Sequence, residues 1–430
     1  SDYSVLIKMH PENKEYYENR GLSYLSLEKY ESAISDYSVL IKMDPVKKEY
    51  QISRGSAYLA LKQYNLSIVD YSKAITLDSN CTSAYNGRGL SYLSLEKYES
   101  AISDYSVLIK MDPKNKEYYE NRGLSYLSLE EYESASSDYS VLIKMDPNKK
   151  EYYENRGSAY LALEQYELAI SDYSVLIKMD PNKKEYYERR GSAYLTLKQY
   201  ESASSDYSVL IKIDPNKKEY YESRGSAFLA LKKYELAIAD YSILIKKDPK
   251  NKEYYESRGS AFLALKQYES ASSDYSVLIK MHPENKEYYE NCGSAYLSLG
   301  KYDLAVADYT KAITIDPNYA PAYSGRGSAY LSLGKYDLAV ADYTKAITID
   351  PNYAPAYSGR GSVYLSLRKY ESAITDYSKA ITIDPNYAPA YSGRGSAYLT
   401  LKQYDLAFAE YTKAITIDPN YAPAYSGRGP

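Results

Sequence analysis

Tryptophan is absent from this 430-residue chain, and phenylalanine occurs only three times, against 59 tyrosines. So lopsided an aromatic set argues against the two or three ordinary globular domains that length alone suggests. Histidine is almost missing. His10 and His282 each stand beside a proline, too far apart in the chain to share a metal or relay a proton. The two cysteines, Cys81 and Cys292, are also widely separated in a chain expected to be elongated, so no disulfide framework follows. Charge of one sign is missing as well: 53 basic against 57 acidic residues leave a formal net charge of −4. That balance carries no polyanion-binding signature, and nucleic acid is not an expected partner. No apolar run reaches the roughly 18 residues of a membrane span. No basic, then apolar, then small-residue leader opens the sequence. No Cys–His or Ser–His–Asp grouping can be assembled, and no glycine-rich phosphate loop is present. Catalysis, a cofactor and a metal are therefore not expected. Sequons at Asn65 and Asn80 are no more than chance supplies, and carry no weight.

What is present is a period. Pro11, Pro45, Pro113, Pro147 and their successors to Pro419 fall on one 34-residue grid, broken only by Ser79. Glycine fills the same grid without a gap, from Gly21, Gly55 and Gly89 to Gly429. The stretch 294–327 is identical to 328–361. Fixed self-similarity of this kind marks stacked repeats. We number the 34 slots so that the recurring glycine is slot 8; one repeat, Lys150–Lys183, reads KEYYENRGSAYLALEQYELAISDYSVLIKMDPNK. Its apolar and small residues recur at spacings of three and four, which places each set on one face of a helix. Asp-Pro at slots 31–32 ends the second helix, because the residue before proline avoids helical geometry. Slots 14–16 form the turn between the helices. Each repeat is then two antiparallel helices of about 13 residues, about 20 Å long. A hairpin of that size cannot bury both faces alone, so neighbours must stack. Gly at slot 8 and Ala at slot 20 (Ser67 once) allow close approach, with Tyr or Phe at slot 11 and Tyr at slots 17 and 24 filling the adjacent space. A helical glycine costs about 1 kcal/mol against alanine, so its regular use needs such a packing reason.

Gly at slot 8, Tyr at 11, Ala at 20, Tyr at 24 and Pro at 32, on this period, resemble the tetratricopeptide repeat family over the whole chain, in its Arg-Gly/Asp-Tyr subclass. Two departures stand out: slot 4, often Trp in the family, is Tyr or once Gln51, and slot 7, often Leu, is Arg except at Cys292. The resemblance implies an all-α, right-handed α–α superhelix. One continuous solenoid is expected over 1–430: a partial repeat at 1–13, twelve full repeats at 14–421 and a partial repeat at 422–430. It also implies a concave groove, lined by first helices, that binds a peptide or partner protein. The SGRG segments, such as Ser324–Gly327, are slots 5–8 of a helix in this reading, not phosphate loops. Candidate groove contacts are Asn19, Asn121, Asn155 and Asn291 at slot 6, where family members bind peptide backbone, and Tyr319, Tyr353 and Tyr387 at slot 34. Packing between repeats is the alternative role for these tyrosines. The family's carboxylate clamp needs Lys at slot 5, which is Glu or Ser here apart from Ile52 and Asn86, so clamp binding is disfavoured.

Variation between repeats adds two expectations. Arg at slot 7 and Asp at slot 23 (Glu410 in the last repeat) should form a ladder of pairs such as Arg156–Asp172, and Cys292 would leave Asp308 without its partner. Slot 27 and slot 3 of the next repeat vary together: Leu with Tyr, as in Leu142–Tyr152, or Ala with Ala, as in Ala312–Ala322. This predicts bulky and tight junctions, with a change of junction type near 290–320 and a change of pitch or curvature near residue 300. Neither end carries a polar cap, so a window cut from a longer array is expected. Two functions fit: a scaffold holding a protein partner in its groove, or a structural subunit whose monotonous repeats bind copies of themselves in a filament. The family is most often cytoplasmic, a fibre would be extracellular, and the sequence leaves localisation open.

Overall fold

A computed structural model describes residues 2–428; Ser1, Gly429 and Pro430 lie outside it, and with them the last glycine of the grid. The described residues hold 26 α-helices and no strand. No helix is long and apolar enough to cross a membrane. Each repeat is a helical hairpin, for example Lys150–Ala162 followed by Tyr166–Met179. The turn falls at slots 14–16, as the pattern required. Its middle residue takes a left-handed φ in every repeat: Glu164 at 57° and Lys198 at 57°, and glycine at Gly300 and Gly334 with φ of 73° and 71°. Glycine adopts that region without strain, whereas the charged residues there are held in it by the helices on either side. Several first helices open on an asparagine cap; Asn115 Oδ1 accepts from the Glu117 N–H at 3.0 Å. The slot-31 aspartate closes the other loop, as when Asp350 Oδ1 accepts from the Asn352 N–H at 2.9 Å.

The chain divides into two units, residues 1–213 and 214–430. In each, helices pack mainly against the helix before and the helix after, the nearest-neighbour stacking of a repeat protein. The core is one small cluster per repeat. In the 150–183 repeat, Tyr153, Ala169, Tyr173 and Leu176 bury together with Tyr186 of the next repeat. Burying a leucine such as Leu176 contributes about 1.5–3 kcal/mol.

Slot 27 touches slot 3 of the next repeat, which accounts for their joint variation. Leu142 and Tyr152 share one cluster, and Ala312 and Ala322 share another. Where the pair is Ala–Ala, successive first helices lie directly against one another: Lys48–Ala60 against Thr82–Ser94 in unit 1, and Lys286–Ser298 against Ala320–Ser332 and onward in unit 2. Among the described residues, successive first helices make no comparable approach at the Leu–Tyr junctions.

Candidate functional site

The expected ladder is present, and it is more than a ladder of pairs. Arg156 Nε and Nη2 donate to Asp172 Oδ2 and Oδ1 at 2.9 and 2.6 Å, a bidentate pair whose carboxylate side chain is only 3% exposed. The third nitrogen, Nη1, donates to Ser140 Oγ of the preceding repeat at 2.9 Å. Arg122, Arg258 and Arg394 repeat the arrangement with Ser106, Ser242 and Ser378. Each guanidinium therefore ties three helices across a junction. At Arg88 the hydrogen bonds to Asp104 are the leading cause that holds the guanidinium above its ordinary value. A hydroxyl residue stands at slot 25 of every repeat, and that regularity was the signal for the third contact.

Cys292 is the one break. Its thiol is buried among Tyr255, Tyr275 and Leu278, with burial first and the Asp308 charge second pushing it up to about 12. Asp308 Oδ2 is buried without a hydrogen-bond partner among the described residues. Burial pushes the Asp308 carboxyl above the usual carboxylate range. A raised folded-state pKa means that Asp308 contributes stability at low pH and loses it as pH rises through that value. Cys292→Arg supplies the missing partner and offsets part of that burial, as Arg88 and Arg156 do at Asp104 and Asp172. We expect a gain of about 1–3 kcal/mol at neutral pH that shrinks as pH falls. Urea unfolding at two pH values, with hydrogen exchange over 286–319, measures it; no gain at neutral pH refutes it.

The first-helix side differs sharply between junction types. At Leu–Tyr junctions the slot-3 tyrosine crosses to the previous first helix. Tyr152 Oη donates to Glu120, and Lys149 Nζ, 2.7 Å from Glu120 Oε1, lies 4.7 Å from the Tyr152 ring centroid. The rings of Tyr139 and Tyr152 lie 6.4 Å apart and tilted by 40°, a favourable aromatic spacing. Glu120, Leu124, Tyr139, Lys149, Glu151, Tyr152 and Asn155 line a cavity of about 270 Å³. One repeat on, Glu154, Ser158, Tyr173, Lys183, Tyr186 and Arg189 line one of about 200 Å³.

Ala–Ala junctions close this space. Gly359 at slot 6 lies against the Tyr343 ring so tightly that an added Cβ would fall 2.2 Å from Tyr343 Cε1. Gly87, Gly325, Gly393 and Gly427 sit in the same way against Tyr71, Tyr309, Tyr377 and Tyr411. The ring is sandwiched between this glycine and slot 8 of its own repeat, and its hydroxyl pairs with slot 9, Tyr343 with Ser328 at 2.8 Å. Slot-6 glycine is thus a packing requirement wherever the junction is tight.

The structure places Asn155 in the larger cavity beside Tyr139, and Asn121 beside Tyr105. Asn19 and Asn291 are half-buried. Tyr319, Tyr353 and Tyr387 are half-buried against the tight-junction clusters and follow one another along the repeats, with Tyr421, which its slot alone did not single out, continuing the row. Burial first, then Tyr421 and Tyr353 on either side, pushes Tyr387 up to about 12. His10 and His282 each pair with the glutamate two residues on, and the His10 ring also lies 6.5 Å from that of Tyr16. No group of three His, Cys, Asp or Glu able to hold a metal exists among the described residues.

Sequence profiles described as tetratricopeptide repeat match residues 18–80, 86–150, 154–218, 222–275 and 388–421, and one described as TPR repeat matches 293–334, 327–368 and 361–402. No curated protein matches the chain in sequence. Among solved structures, a tetratricopeptide repeat protein from Parabacteroides merdae is similar at TM-score 0.51 and 22% identity, covering 57% of this chain and 97% of its own. Naa15/Naa10 bound to HypK-THB gives TM-score 0.50 and 14% identity, covering 96% of this chain and 78% of the matched one. At these identities the likeness concerns the fold.

Proposed function

Because the chain belongs to the tetratricopeptide repeat family, we propose that it is a non-catalytic scaffold that binds an extended segment of a partner protein along its first helices. The observation that carries this reading is the pair of successive cavities between first helices at two Leu–Tyr junctions. Each offers two tyrosine rings, a glutamate, a lysine and a variable slot-6 side chain, Asn155 in one and Arg189 in the next. Aromatic walls with a few convergent polar groups suit peptide side chains. A frame fixed by the Arg–Asp–Ser ties holds the cavities at set spacings, so little ordering entropy is lost on binding. A similar fold is seen with a bound protein in the Naa15/Naa10 structure with HypK-THB.

Asn19, Asn121, Asn155 and Asn291 are the proposed backbone contacts of this segment. Tyr319, Tyr353 and Tyr387 are proposed to extend the surface into the tight section. The switch of junction type near 290–320 is proposed to change the rotation between repeats there. Selection from a random peptide library on the whole chain tests the binding reading. Photocrosslinks from a selected peptide are expected at Leu124, Asn155 or Ser158. Crosslinks confined to second helices, or filaments seen by electron microscopy in the absence of any binder, would turn the assignment toward self-assembly.

A further inference from the structure

The Leu–Tyr junctions show how this chain treats the glutamate at slot 5. Glu18 receives Lys47 Nζ at 3.0 Å and the Tyr50 hydroxyl at 3.2 Å, and the same ammonium lies 4.5 Å from the Tyr50 ring centroid. Glu120 receives Lys149 and Tyr152 in the same way, and Glu154 receives Tyr186 with Lys183 at 4.0 Å. Glu222 and Glu256 are met by Tyr254 and Tyr288. A carboxylate and a tyrosine ring thus form a seat that the chain's own lysine fills at Glu18, Glu120 and Glu154, whereas at Glu222 and Glu256 asparagine (Asn251, Asn285) stands in the lysine's slot and the tyrosine hydroxyl alone meets the carboxylate.

Glu290 is the slot-5 glutamate at which this arrangement fails. The next junction is tight, so Ala322 stands where the hydroxyl donor would be and Tyr319 stands where the lysine would be. Among the described residues Glu290 has no hydrogen-bonded or ion-paired partner; it is half-buried, and acts electrostatically on Tyr309, Tyr319 and Tyr353. The other charges nearby do not fill the seat. Lys286 is held by Asp316 at 2.5 Å with its ammonium 4.4 Å from the Tyr319 ring centroid, and Glu287 adds like charge. Burial and Glu287 raise the Glu290 carboxyl above its ordinary value, the cost of an unfilled seat.

We propose that Glu290, with the tyrosines around it, receives a lysine or arginine side chain from the bound partner segment, in the place that Lys149 occupies at Glu120. The proposal rests on the scaffold reading and fixes the chemistry of one anchor within it. The ligand is known in kind because the chain contains it: a cation between a carboxylate and an aromatic face, a pairing that charge-assisted hydrogen bonding and ring electrostatics both favour. Glu290 alone among the slot-5 glutamates faces a tight junction and so lacks the tyrosine hydroxyl as well as the lysine, and it therefore also sets the register of the partner along the repeats.

A random peptide library selected in parallel on the native chain, on Glu290→Gln and on Tyr319→Lys tests this. Glu290→Gln keeps shape and removes charge, whereas Tyr319→Lys supplies the cation from within. Lys or Arg at a fixed position is expected among peptides enriched on the native chain, with affinity falling about 10-fold or more on both variants. Circular dichroism should show unchanged helix content in both. Equal enrichment of such peptides on all three proteins, or enriched peptides lacking a basic position, overturns the proposal while leaving the scaffold reading in place. No enriched peptide on any of the three overturns both.

Discussion

Replacing Arg156 with alanine is expected to cost about 3–5 kcal/mol, because it leaves a carboxylate buried without its counter-ion. The Asp172 side chain is 3% exposed and the Arg156 side chain 18% exposed, so water replaces little of what is lost. Ser140 loses its donor in the same step, and the rings of Tyr153 and Tyr160 lose a guanidinium 5.8 and 5.7 Å from their centroids. The loss should appear in urea unfolding of the whole chain and, more locally, in hydrogen exchange over 150–183, since each repeat is held chiefly by its neighbours. The double change Arg156→Met with Asp172→Leu should recover most of it, because a well-packed apolar pair often matches or exceeds a buried ion pair. A single-mutant loss below about 1 kcal/mol would place the pair among ordinary surface salt bridges. The Cys292 repeat already shows the broken state, with Asp308 Oδ2 unpartnered.

Gly359→Ala is expected to destabilise the tight section by about 3 kcal/mol, at the upper end of what overpacking a core costs. The new Cβ would stand 2.2 Å from Tyr343 Cε1 and 2.3 Å from Cζ, and that ring is 1% exposed with no free direction in which to turn. The first helices must separate or the tyrosine must leave. Asn155→Ala, at the same slot of a Leu–Tyr junction, removes atoms from an open cavity and should change stability by less than about 0.5 kcal/mol. Adding Tyr343→Leu to Gly359→Ala should return part of the loss by vacating the contested volume. Thermal melts of the single and double variants decide the matter. Equal effects of Gly359→Ala and Asn155→Ala would refute the sandwich as the reason for slot-6 glycine.

Much of the fold was legible because a 34-residue repeat states each instruction many times over. Spacings of three and four gave two helices per repeat, and Asp-Pro with the slot-15 turn gave their ends. The Arg156–Asp172 pair was readable because both charges recur at slots that geometry brings together. Covariation of slots 27 and 3 named a contact without any coordinates, and Leu142 does meet Tyr152. The site was less legible. Asn155 is marked in the sequence by its slot alone, but its neighbours in the cavity come from two repeats: Glu120 and Lys149 from one, Tyr152 from its own. Ser140 is marked only by the hydroxyl that recurs at slot 25, because a single serine on a helix announces nothing.

The sequence by itself determined the helical hairpin, its length, its turn and the partners of its buried charges, since all of these depend on residues within one repeat or on strict repetition. The sequence also sorted the junctions into bulky and tight; only the tertiary structure decided what each does to consecutive first helices, leaving a cavity at one kind and a tyrosine sealed against glycine at the other. The physical reason is that the spacing of those helices is set jointly by four side chains on two helices and the loop between them, at slots 27, 34, 3 and 6. Whether Tyr152 fills the gap or Gly359 removes it is a matter of volume, not of periodicity.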